Sequence, residues 1–115
     1  PPRSTLDRSS AASDVYKRQE VFGPVWSVVI VRSEEEAIRV ANDSKYGLGV
    51  SIWTGNIHRV KKMIPLFETG NVFVNDFVKS DPALPFGGVK RSGYGRELSR
   101  EGMMEFVNQK TVYIR

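Results

Sequence analysis

The sequence predicts an α/β fold whose centre is a parallel βαβαβ sheet. Three observations lead there. Short runs rich in β-branched and aromatic residues occur at 25–31, 49–54 and 71–75; an amphipathic helical pattern fills each interval; and the connections are only a few residues long. Strand, helix, strand, helix, strand in that order is the signature of two right-handed crossover units.

The first run, VWSVVIV, is apolar at nearly every position, as a strand buried on both faces would be. Ser33 to Glu36 then reads as a capping box. The Ser33 hydroxyl serves an orphan amide, Glu36 reaches back, and three acidic residues sit at the positive end of the helix dipole. Ala37, Ile38, Val40 and Ala41 share one side of that helix, and Asn42, Asp43, Ser44 and Gly47 end it. Residues 49–54 form the second strand, and Asn56 is suited to cap the next helix. Ile57, Val60, Ile64 and Phe67 recur there as one apolar stripe. Pro65 cannot donate to the residue four before it, so a kink or an early end is expected nearby. Gly70 closes this unit and NVFVN (71–75) is the third strand.

A long loop rich in proline and glycine follows, from Asp76 to about Glu97. Loops of that length in a compact domain are usually functional. Within it Gly88 and Gly93 have the separation of a phosphate-binding loop, but Tyr94 and Gly95 stand where lysine and a hydroxyl residue are required, and no G-x-G-x-x-G occurs. The glycines therefore read as conformational hinges, with Lys90 and Arg91 solvated. A short helix near 100–106 and an edge strand at 109–114 complete the chain, and such an edge calls for a partner.

With 115 residues, 40% of them hydrophobic, the chain suffices for one modest core. No run of 18 apolar residues is present, so no membrane partner is expected, and no export signal is recognisable, so the expected location is cytoplasmic. Cysteine is absent, which removes thiolate chemistry from these residues, and the lone His58 reads as solvent-facing. The net charge is +4, but residues 1–19 hold four of the 17 basic and two of the 13 acidic side chains. Half the excess thus sits in one tail, which argues against a nucleic-acid partner.

Four stretches in fixed order carry a family resemblance: EVFGPV (20–25), NDSKYGL (42–48), GNVFVN (70–75) and PFGGVKRSG (85–93). Residues 20–115 resemble the C-terminal fifth of the aldehyde dehydrogenase superfamily. With LPFGGVK (84–90), GRELS (95–99) and EFVN (105–108), they are most similar to bacterial succinate-semialdehyde dehydrogenases. The resemblance implies a partial catalytic domain, an NAD or NADP cofactor in the full-length enzyme, and an aldehyde substrate. Glu20 matches the carboxylate that accepts hydrogen bonds from the nicotinamide ribose, and Phe22 the aromatic flanking the nicotinamide. Phe86 matches the ring lining the aldehyde pocket. Ser80 matches a serine that contacts the substrate carboxylate, and the ammonium of adjacent Lys79 suits the same anion. The final strand, 109–114, matches one that joins a neighbouring subunit, which implies a homo-oligomer (dimer or tetramer).

Family chemistry also needs a cysteine nucleophile, a glutamate base and an oxyanion-binding asparagine, all upstream of the matched region. The 115 residues are accordingly expected to be inactive alone. Residues 9–19, SSAASDVYKRQ, match in frame the translation of a transposase adapter used in DNA library preparation, so residues 1–19 are expected to be a non-native tail. Two other readings stand beside the dehydrogenase fragment. One is a non-catalytic oligomerisation module of a truncated dehydrogenase; the other is a small basic nucleic-acid binder using Lys61, Lys62, Lys90 and Arg91.

Overall fold

The computed structural model describes Gly23, Pro24 and residues 26–115, which fall into two units, one ending at Ser44 and the other spanning Lys45–Arg115. In the first unit, helix α1 covers Glu34–Asn42. Its start is local chemistry: the Ser33 hydroxyl accepts from the Glu36 amide at 3.2 Å. The reciprocal arm differs from the expected box by one residue, since Glu36 Oε2 accepts from the amide of Arg32 at 2.9 Å.

The strand expected over 25–31 is not formed among its described residues. Residues 26–31 run without strand pairing, and Trp26 and Ile30 are each 91% exposed. A helix satisfies its amides and carbonyls internally, whereas a strand depends on a neighbour, and among the described residues none pairs with this run. The same reason applies to 109–114, which has no ladder partner among the described residues and leaves Val112, Tyr113 and Ile114 exposed. The expected βαβαβ sheet is thus present only in its second half.

That half lies in the second unit. Strands β1 (Tyr46–Gly47) and β2 (Gly49–Ile52) precede helix α2 (Ile57–Met63); β3 (Asn71–Val74), β4 (Val89–Lys90) and helix α3 (Ser99–Met104) follow. β2 and β3 pair in parallel with Gly49 opposite Asn71 and Ile52 opposite Val74, so β2, α2 and β3 make one βαβ unit. Asn56 caps α2 by accepting from the Arg59 amide at 3.0 Å. Pro65 acts as expected: the α-helix stops at Met63 and a 3₁₀ turn, Ile64–Leu66, takes over. Of the apolar stripe, Val60 is buried at 2% exposure, the one buried hydrophobic residue among the described residues.

The loop from Asp76 to Glu97 is more ordered than its composition implies. β4 pairs antiparallel with β1, placing Lys90 opposite Tyr46 and Val89 opposite Gly47. Phe86 and Glu97 exchange both backbone hydrogen bonds at 2.8 Å. Two-residue strands are too short to leave a periodic signature. The expected helix near 100–106 is α3, displaced slightly toward the N-terminus. No helix among the described residues is long and apolar enough to cross a membrane.

Candidate functional site

The Pro-Phe-Gly-Gly segment, 85–88, is held from both sides. On one side lies the start of β3, where the buried Asn71 amide donates to the Leu48 carbonyl at 2.7 Å and the Gly87 carbonyl at 2.9 Å. Next to it the Gly70 amide donates to the Gly47 carbonyl at 3.0 Å, and the backbone of Gly70 approaches the Gly87 carbonyl so closely that a Cβ would collide with it. On the other side the Arg96 guanidinium donates to the carbonyls of Gly88 (3.2 Å) and Gly95 (2.6 Å). Ser92 Oγ accepts from the Gly47 amide at 3.0 Å, which ties β1 to the same loop. The glycines divide by role. Gly93 and Gly95 have positive φ, the hinge role expected for all of them, whereas Gly87 and Gly88 are there for close approach.

This clamp fixes Phe86, which is half-buried and lines two depressions. The first, about 350 Å³, is formed by Lys79, Asp81, Leu84, Pro85 and Phe86 with the first residues of β3. The second, about 390 Å³, joins Phe86 to Ser92, Arg96, Glu105 and Phe106. Two of the side chains expected at a substrate site, Lys79 and Phe86, therefore share one depression. Ser80 is exposed and is not among that depression's lining residues. Glu20 and Phe22, the expected cofactor contacts, lie outside the described residues.

Lys79 is not a free cation. Its ammonium lies 2.6 Å from Asp76 Oδ2, and Asp76 Oδ1 accepts from the Phe77 amide at 2.8 Å. The Lys79 hydrogen bond, followed by the Phe77 amide, holds the Asp76 carboxyl below its ordinary value. The Asp76 hydrogen bond in turn pushes Lys79 up. Because the carboxylate is depressed, whatever the pair contributes is present above the unfolded-state pKa of aspartate. That contribution is lost as pH falls through the lowered value, so both groups are charged at neutral pH.

Beyond the carboxyl ends of β2 and β3 lies an arrangement that spacing did not reveal. Asn75, in the left-handed region at φ 56°, accepts from the Thr54 amide at 2.7 Å and donates to the Thr54 carbonyl at 2.9 Å. The rings of Trp53 and Phe77 meet edge-on, 5.3 Å apart. The available signal was asparagine itself, which tolerates this backbone region better than most residues.

The other expected residues are placed as follows. Lys90, read as solvated, instead pairs with Glu68 at 2.6 Å, because its β4 position faces that carboxylate. Arg91, Lys61, Lys62 and His58 are exposed. No group of three or more acidic, histidine or cysteine side chains among the described residues could hold a metal ion.

Known proteins resemble most of the chain. The chain is 57% identical over 97 residues to a probable NADP(+) succinate-semialdehyde dehydrogenase of Synechocystis, covering 84% of this chain and 21% of that protein. It is 50% identical over 94 residues to the NADP(+) succinate-semialdehyde dehydrogenase of Deinococcus radiodurans, with coverages of 82% and 20%. Among solved structures, the succinic semialdehyde dehydrogenase of Streptococcus pyogenes in complex with NADP+ superposes with a TM-score of 0.79 at 53% identity, over 85% of this chain and 22% of that one. The chain thus spans about a fifth of the length of the relatives it matches. With the aldehyde dehydrogenase family model matching residues 5–112, and with an α/β structure shared with these enzymes, the chain belongs to the aldehyde dehydrogenase family.

Proposed function

We propose that this chain is part of the catalytic domain of an NAD(P)-dependent aldehyde dehydrogenase that oxidises succinate semialdehyde to the dicarboxylic acid. The observation that carries the reading is the shared depression of Phe86 and Lys79, an apolar ring beside an ammonium. That combination suits an aldehyde with an apolar chain and a distal carboxylate. Phe86 packs against the chain and excludes water near the carbonyl and Lys79 attracts the far carboxylate; Ser80, outside the lining of that depression, is assigned to the same anion on the family match alone. The 115 residues contain no cysteine, so the thiolate attack on the aldehyde belongs to upstream sequence.

The described residues do not fit a dinucleotide by themselves: β2 leads into α2 through residues 53–56 with a single glycine, not a phosphate-binding turn. When bound, NAD(P)+ supplies the hydride acceptor. Glu20 and Phe22 are the residues assigned to its nicotinamide end. Residues 25–31 are assigned to a strand, and 109–114 to pairing with a neighbouring subunit. Residues 1–19 are assigned to the non-native tail. Uninterrupted family sequence immediately upstream of Glu20 in the source genome supports that assignment, and the same tail in the genome refutes it.

The test uses the full-length enzyme. Ser80→Ala is expected to raise KM for succinate semialdehyde by roughly three- to tenfold, the effect of one hydrogen bond, with little change for butanal. Steady-state kinetics on the two aldehydes check this, and equal effects on both remove the carboxylate assignment.

A further inference from the structure

We propose that Asp76 is a positioning residue that limits affinity for anionic aldehydes, by holding the Lys79 ammonium in an ion pair at the depression that Phe86 also lines. The inference rests on the substrate reading above and adds a residue that the reading does not need. Asp76 is not among the lining residues of the depression, so it acts through Lys79.

The geometry shows how. Asp76 is anchored by the Phe77 amide at 2.8 Å, and from there it reaches Lys79 Nζ at 2.6 Å. The carboxylate is thus fixed and the flexible lysine is drawn to it. Asp81 lines the same depression, and its Oδ1 accepts from the Ala83 amide at 2.9 Å. The Asp81 charge also acts on Lys79, after that of Asp76, so a substrate anion has to share a cation that is already engaged. Asp76 costs affinity for an anionic substrate while keeping the lysine aimed along the loop. Both side chains are partly solvated, so water screens the pair and the effect is modest.

Asp76→Asn in the full-length enzyme separates charge from structure, because the asparagine side-chain oxygen can still accept from the Phe77 amide. The expected result is a KM for succinate semialdehyde lowered about two- to fivefold at low salt, a difference that shrinks as salt is added. kcat, and KM for butanal, stay unchanged. A KM that does not move, that rises, or that moves equally for both aldehydes overturns the proposal. Lys79→Met distinguishes the failures. If it raises KM for succinate semialdehyde while Asp76→Asn does nothing, the role of Asp76 is refuted and the site reading stands. If neither variant matters, or the enzyme does not oxidise succinate semialdehyde, the site reading falls and the proposal with it.

Discussion

Asn71→Asp should be among the most damaging single substitutions in the chain. Asn71 is 8% exposed, and its amide nitrogen serves two carbonyls, Leu48 and Gly87, that come from segments distant in sequence. Aspartate is nearly the same size and removes that donor. An ionised carboxylate would face two carbonyl oxygens at less than 3 Å; a protonated one could satisfy only one of them. Both acceptors are part-buried, so each left unpaired costs at most about 1–3 kcal/mol, and the desolvated charge adds to that. A loss of about 3 kcal/mol or more is expected, a large fraction of the stability of a typical domain. The deficit should grow as pH rises from about 5 to 8, because the neutral acid is the better-tolerated form and its pKa is raised by burial. Melting midpoints of the full-length enzyme and its variant across that range provide the check. Asn71→Ala, which lacks the charge, should be destabilised with little pH dependence.

The second large effect is expected one residue earlier. A Cβ at Gly70 would strike the Gly87 carbonyl, with Gly87 C at 2.8 Å and Gly88 Cα at 3.1 Å close behind. All three are backbone atoms, so no side chain can swing aside, and the Pro-Phe-Gly-Gly segment must move. Overpacking of this kind costs about 1–3 kcal/mol, toward the upper end where the backbone is pinned on its far side, as it is here by Arg96. The functional consequence should be larger than the stability loss implies, because Phe86 is covalently next to the displaced carbonyl. Gly70→Ala in the full-length enzyme should therefore lower kcat/KM for charged and neutral aldehydes alike. Gly55→Ala is the control: a Cβ there meets nothing within 4 Å and should leave both stability and turnover unchanged.

These two residues also mark where the sequence stopped being legible. Features decided within a few residues were readable. The Ser33 and Asn56 caps and the helix stop at Pro65 follow from local chemistry, and the parallel pairing of 49–52 with 71–74 follows from the alternation of strand and helix patterns. Asn71 read simply as a strand residue, because its two acceptors lie 23 and 16 positions away. The β1–β4 ladder and the Phe86–Glu97 bridge escaped for the same reason. The opposite error occurred at 26–31. Its apolar run describes the surroundings it is suited to, and among the described residues those surroundings are not supplied. At the candidate site, family resemblance picked out Lys79 and Phe86, which share a depression, but not Asp76, whose effect depends on a loop conformation that no motif encodes.

The near-absence of fully buried hydrophobic side chains among the described residues has a calorimetric meaning. Heat-capacity change on unfolding tracks the apolar area newly wetted, about 1.2–1.5 kcal/mol/K for an ordinary domain of 100 residues. Only Val60 among the hydrophobic side chains is withdrawn almost completely, while Trp26, Ile30 and Phe106 are already hydrated. Unfolding these residues by themselves would wet less new apolar surface than unfolding an ordinary domain. Their heat-capacity increment, and with it the curvature of stability with temperature, should fall well below that of a domain of the same length.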